Sequence, residues 1–154
     1  RALWYWPSGK KFRISLHPLE KAFVALAVTS SIIPVIWALA RVAQSQGVKT
    51  YGLYDGDGET LHRWTVDEVR ANVRAGRPVI AQVVYRGLPG REDSGYYGDH
   101  YVVITGLMGD DFIYNDPIDS DGRGYGRLIT AEQLQQAMTN ATGDFAGAAF
   151  AVGR

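Results

Sequence analysis

The stretch GDHYVVITGLMGDDFIYNDP, residues 98–117, holds two short apolar runs on either side of a Met-Gly-Asp-Asp turn. Residues 101–106 and 112–115 each have strand character, and the turn between them predicts an antiparallel hairpin. Pairing of that kind brings His100, just before the first strand, and Asp116, just after the second, to the same end. Strand ends of this sort present side chains on a rigid base, which suits catalysis. An aspartate placed there accepts a hydrogen bond from one imidazole nitrogen, fixes the tautomer and supports the imidazolium that forms when the ring takes a proton. Pro117 stiffens the exit by fixing its own φ and restricting Asp116 to extended backbone. A second reading of the same spacing is a plain surface pair, worth little to stability.

Around this hairpin the chain reads as helices first and mostly antiparallel strands after, an α+β order rather than alternating βαβ. Residues 1–14 read as extended chain with a Pro7-Ser8-Gly9 turn. A helix is expected from about Ser15, with Pro18 in its first turn and Glu20 close behind. Its body, AFVALAV, is apolar on every face and should be buried all round. A second helix is expected from about Ile33 to Ser45, stopping at Gly47. Residues 50–54 read as a short strand, and DGDGE after them as a turn. Thr65 and Glu68 form a capping box for the next helix, which should end at Gly76. VIAQVVY, after Pro78, reads as a central strand. Residues 86–99 form a charged, glycine-rich loop, and residues 116–124 another polar loop leading to YGRLI. Thr130 and Gln133 cap a last amphipathic helix, and AGAAFAV closes the chain as a strand.

Composition narrows the function classes. The 154 residues suffice for one domain with a real core, and residues 1–154 are read as a single domain. Lys plus Arg equals Asp plus Glu, so the formal net charge is zero, which argues against a general nucleic-acid partner. There is no cysteine, hence no disulfide and no thiolate metal site. A chain opening on Arg1 rather than methionine reads as processed, trimmed or excised from a longer protein. Residues 22–40 carry no charge and are long enough to cross a bilayer, but Thr29-Ser30-Ser31 and Pro34 in the middle favour two buried helices. Membrane association is therefore not expected, and no compartment is fixed.

Other side chains have ordinary readings beside functional ones. Asp55, Asp57 and Glu59 alternate like the start of a calcium loop, but the twelfth position is Val66 instead of glutamate, so a Gly-Asp turn is expected. Asp116, Asp119 and Asp121 form an acidic cluster with no strong metal pattern. His17 with His100 and Asp116 lacks a further ligand, so no metal and no cofactor are expected. His62 is expected at the surface. Asp99, beside His100, either tunes the imidazole or is a solvated loop charge. Tyr96 and Tyr97 precede His100 in the loop, a natural place for a lid over a cleft. Trp4, Tyr5 and Trp6 read as packing residues or as the wall of a groove.

With these residues in view, the region 64–138 resembles the papain-like peptidases that process bacteriocin leaders, the double-glycine leader peptidases of bacteria. The carrying motifs are Gly76-Arg77-Pro78-Val79-Ile80, His100-Tyr101-Val102-Val103-Ile104-Thr105-Gly106 and Ile113-Tyr114-Asn115-Asp116-Pro117. The run ALARVAQSQGVKTYGL, residues 38–53, is similar to the helix and strand that precede them in that family. The resemblance implies a papain-like α+β fold, a buried N-terminal helix packed on an antiparallel sheet. It implies His100 and Asp116 as catalytic partners of a cysteine at the start of that helix, usually followed by Gly and Pro, with a glutamine upstream for the oxyanion. The corresponding helix start is read as Arg13-Ile14-Ser15-Leu16-His17-Pro18, which has the proline but no cysteine, with Leu16 or a neighbour in the nucleophile's place. Without a nucleophile, a histidine and an aspartate cannot run covalent acyl transfer.

Three accounts follow, in order of preference. The domain is a degenerate member that binds a peptide or protein segment without cutting it, with Leu16, His17, Tyr96, Tyr97 and Asp99 lining the groove. Or Ser15 replaces the cysteine in an active amide hydrolase, although a serine there also suits a helix cap. Or the nucleophile is absent from this chain. A purely structural domain of a larger protein is a third, different class of function.

Overall fold

The computed structural model of the protein describes residues 4–5, 11–12, 35–118 and 124–153. The expected helix near Ser15, the Pro7-Ser8-Gly9 turn, Trp6, Asp119 and Asp121 lie outside the described residues. Two compact units are present, Arg1–Val35 and Ile36–Arg154. In the first, β1 (Trp4–Tyr5) pairs antiparallel with β2 (Lys11–Phe12), Trp4 opposite Phe12.

The second unit is built on a six-stranded sheet. Its strands are β3 (Lys49–Tyr51), β4 (Val79–Val84), β5 (Asp99–Met108), β6 (Asp111–Asn115), β7 (Arg127–Ile129) and β8 (Ala149–Gly153). They lie in the order β3-β8-β4-β5-β6-β7, and every pairing is antiparallel. The expected hairpin is β5–β6, closed by the turn at Gly109, whose φ of 62° is the left-handed conformation that glycine adopts without strain. AGAAFAV does end as a strand, and a central one, inserted between β3 and β4. The strand expected at 50–54 is shorter, because Gly52 turns the chain at φ 70° and only Tyr54 returns to pairing, through a bridge to Leu61.

The register assigns side chains to the two faces. Val79, Ala81 and Val83 of β4 stand opposite Ile104, Val102 and His100 of β5. That face is covered by helices α2 (Val66–Arg74) and α3 (Ala131–Thr139), whose Val69, Leu134, Ala137 and Met138 join its core. Ile80, Tyr101 and Phe150 point the other way, to α1 (Val35–Ser45), whose Ile36 and Ala40 are buried one turn apart on one stripe. A sheet with both faces covered by helices is the layered arrangement that the apolar run VIAQVVY requires.

The helices begin and end where their sequences direct. Thr65 accepts from the Glu68 amide while Glu68 reaches back to the Thr65 amide, and Thr130 and Gln133 do the same for α3. Helix α1 stops at Gly47 and α2 at Gly76. In each case two reversed bonds, Val48 to Ala43 with Gly47 to Gln44, and Arg77 to Asn72 with Gly76 to Val73, close the last turn. Among the described residues no helix is long and apolar enough to cross a membrane.

Candidate active site

His100 and Asp116 are brought together by the β5–β6 register. Val103 pairs with Asn115, after a bulge between Ile104 and Gly106, so Asp116 follows on beside Val102. His100 is two residues from Val102 on the same face, the diagonal position that long side chains can bridge. The imidazole Nε2 lies 2.7 Å from Asp116 Oδ1, and both side chains are buried. The same carboxylate oxygen accepts from the Ile118 amide at 3.0 Å, a turn that holds Asp116 to its own strand end. The Asp116 amide in turn donates to the Gly124 carbonyl at 2.5 Å. With Nε2 committed to an acceptor, that nitrogen carries the proton and Nδ1 is the basic nitrogen of the neutral ring.

Two further side chains that the sequence did not single out, Tyr85 and Arg91, stand beside the pair, with Tyr114 of the same motif near them. The ring of Tyr85 stands edge-on to that of His100, centroids 5.2 Å apart at 90°, and buttresses it. Arg91 places Nη2 3.6 Å from Asp116 Oδ2 and its guanidinium 5.5 Å from the Tyr85 ring centre. Tyr114, two residues before Asp116, has its hydroxyl pKa pushed up by burial, against the pull of Arg127. The loop that carries Arg91 is a series of tight turns, Leu88 to Tyr85, Arg91 to Leu88 and Ser94 to Arg91, and Arg127 ties it to β7 through the Pro89 carbonyl at 2.9 Å. No run of turn residues distinguishes such a cluster in sequence; only the fold shows it.

Tyr96 and Tyr97 divide their roles. Tyr96 packs its edge on Tyr85 and donates to the Asp99 carbonyl at 3.0 Å. Tyr97 is exposed, with the Arg86 guanidinium 4.6 Å over its ring. The Asp99 carboxylate is taken up by the fold: it accepts from Gln82 Nε2 at 2.7 Å, from the Thr142 amide at 3.0 Å and from the Thr142 hydroxyl at 2.5 Å. Gln82, buried in the middle of an otherwise apolar strand, passes the chain on by accepting from the Tyr101 hydroxyl at 3.0 Å. Burial, then the charge of Asp99, raise that hydroxyl to a pKa of about 12. The glutamine interrupting VIAQVVY was the available sequence signal, since a buried amide needs partners. Ser15, Leu16 and His17 lie outside the described residues. Among the described residues no group of three or more His, Cys, Asp or Glu could hold a metal ion.

Residues 26–145 match the Peptidase_C39 like family. The chain belongs to that family. The matched span takes in α1, the capping box of α2, the PVI strand, His100 and Asp116, and starts after Ser15-Leu16-His17. Among solved structures, the C39-like chain is similar to a candidate C39-like peptidase from Bacillus anthracis. The TM-score is 0.51 at 17% identity, over 77% of this chain and 58% of that one. That likeness shows a papain-like fold, and this chain spans little more than half the length of that structure. No curated protein matches the chain. The chain has no cysteine among its 154 residues, so it supplies no thiolate nucleophile of its own.

Proposed function

We propose that this C39-like domain is a degenerate papain-like peptidase module that binds a peptide or protein segment and leaves it intact. The observation that carries the reading is the combination of a buried His100–Asp116 pair at 2.7 Å with a chain that contains no cysteine. A base and its orienter without a thiol can polarise or hold a ligand but cannot form a thioester. The exposed ring of Tyr97, beside Tyr96 in the loop preceding His100, supplies an aromatic surface for a peptide. The resemblance to bacteriocin-processing peptidases makes an extended leader-type peptide the first ligand class to try, held by strand addition or in the aromatic-edged groove.

A second reading is favoured by the intact pair itself. An amide hydrolase would use His100 as general base for Ser15 or for a nucleophile outside this chain. The family match gives Ser15 no support, because it begins at residue 26.

The test is a titration followed by NMR of the imidazole resonances, with extended peptides as probes and His62 as an internal reference. Saturable movement of the His100 signals, with the peptide unchanged in mass, supports binding without cleavage. Product peptides place the second reading first. No movement with any peptide contradicts both.

A further inference from the structure

Away from this site, His62 is held between two carboxylates on two different elements. Its Nδ1 is 2.5 Å from Asp55 Oδ1, in the turn after Tyr54, and its Nε2 is 2.8 Å from Glu68 Oε1, in the first turn of α2. The ring was expected at the surface; it is half-buried, in a T-shaped contact with Trp64 at 6.0 Å between ring centres. A neutral imidazole has one N–H, and its other nitrogen would turn a lone pair toward a carboxylate oxygen. Only the doubly protonated ring can donate to both.

We propose that His62 is a proton-controlled clasp: as an imidazolium it locks the 55–60 turn on to the first turn of α2, and when it loses a proton the turn is released. Whichever tautomer remains keeps at most one of the two bonds, so the bridge between the elements is broken in either case.

The surroundings support this. The turn is preformed, since Asp57 accepts from the Glu59 and Thr60 amides at 2.9 Å each and from the Thr60 hydroxyl at 2.6 Å. Few bonds close its base: Asp55 amide to the Thr60 carbonyl, His62 amide to the Leu53 carbonyl, and the Tyr54–Leu61 bridge. Glu68 is fixed independently, its other oxygen accepting from the Thr65 amide and hydroxyl in the capping box. The charged groups that face the ring are Asp55 from the turn and Glu68 from α2. The neighbouring Arg63 directs its guanidinium elsewhere, to the carbonyls of Asp144 and Ala146. The bonds to Asp55 and then Glu68 raise the His62 pKa above its ordinary 6.5, against the opposing effect of burial.

The sign follows from linkage. A raised folded value means the clasp contributes fully below the unfolded pKa and is lost as pH rises through the folded one. The experiment is NMR of the whole chain: the His62 ring titration and the hydrogen exchange of the Asp55 and His62 amides, which close the base of the turn, each corrected for intrinsic exchange, as pH rises from 5 to 9. Protection of these amides, relative to the α3 amides, should fall with the same midpoint as the ring. The fall should be about tenfold for each unit by which that midpoint exceeds 6.5. In Asp55→Asn, which keeps the shape and the acceptor, the midpoint should move down and the loss of protection should shrink with it. Protection that does not follow the ring, or a ring midpoint unmoved by Asp55→Asn, overturns the proposal.

Discussion

His100 meets Asp116 through Nε2, at 2.7 Å, which leaves Nδ1 as the nitrogen that faces away from the carboxylate. The carboxylate serves two donors at once, the imidazole and the Ile118 amide, with both side chains of the pair buried. Removing it leaves the buried imidazole N–H and the part-buried Ile118 amide without this acceptor. Asp116→Ala should cost about 2–4 kcal/mol, read from urea unfolding, since each unpaired buried group costs about 1–3 kcal/mol. Asp116→Asn keeps an acceptor oxygen and should cost less. A midpoint unchanged in Asp116→Ala would show that the pair does not hold the β5–β6 end.

Gly52 is where the chain has no room for a side chain. Its φ is 70°, and a Cβ there would sit 2.5 Å from the Trp64 ring, whose indole N–H donates to the Gly52 carbonyl at 2.6 Å. Gly52→Ala combines left-handed strain with overpacking against a buried indole, about 2–4 kcal/mol together. Thermal unfolding should show the loss, and the Trp64 fluorescence should shift to the red. A variant as stable as the parent would mean the ring moves freely aside.

The two capping boxes should behave as independent units. Thr65→Ala and Thr130→Ala each remove one cap and should each cost about 1 kcal/mol. The double variant should lose roughly the sum, because the caps share no partner. Chemical denaturation of the three proteins tests both points.

Tyr101 gives an alkaline prediction. Its folded pKa is raised to about 12 from 10.0, mainly by burial. A raised value stabilises the fold below the unfolded pKa, so stability should fall as pH climbs from 10 toward 12, where the unfolded chain ionises first. Absorbance near 295 nm should show a late tyrosine step in the difference between the parent and Tyr101→Phe. Tyr101→Phe should remove that step while leaving Gln82 one donor short. Loss of alkaline stability that is the same in Tyr101→Phe would assign it to other groups.

Much of this was legible in the chain. The β5–β6 hairpin, the meeting of His100 and Asp116, both capping boxes and the two glycine helix stops are local or nearly local features. Each follows from residue types at fixed spacing. What was not legible is what distant segments bring together. Asp99 read as an imidazole tuner or a solvated loop charge because Thr142 is far away in sequence; folding makes it a clamp across β5 and the α3 exit. Tyr85 and Arg91 carry no motif, and become neighbours of the pair only because the loop from β4 folds into successive turns. His62 looked like a surface residue because its two partners lie seven positions before it and six after, on different elements. The insertion of β8 between β3 and β4 is likewise a matter of long-range pairing that hydrophobic pattern does not encode.

The most direct test of binding without cleavage is mass spectrometry of a mixed peptide library after long incubation with the protein. The peptides that co-elute with the protein are then recovered. The expected result is a set of intact peptides enriched on the protein, no new termini in the library, and weaker enrichment with His100→Ala. New termini that appear with the parent chain and vanish with His100→Ala would contradict it, and would show that a nucleophile other than cysteine works beside His100.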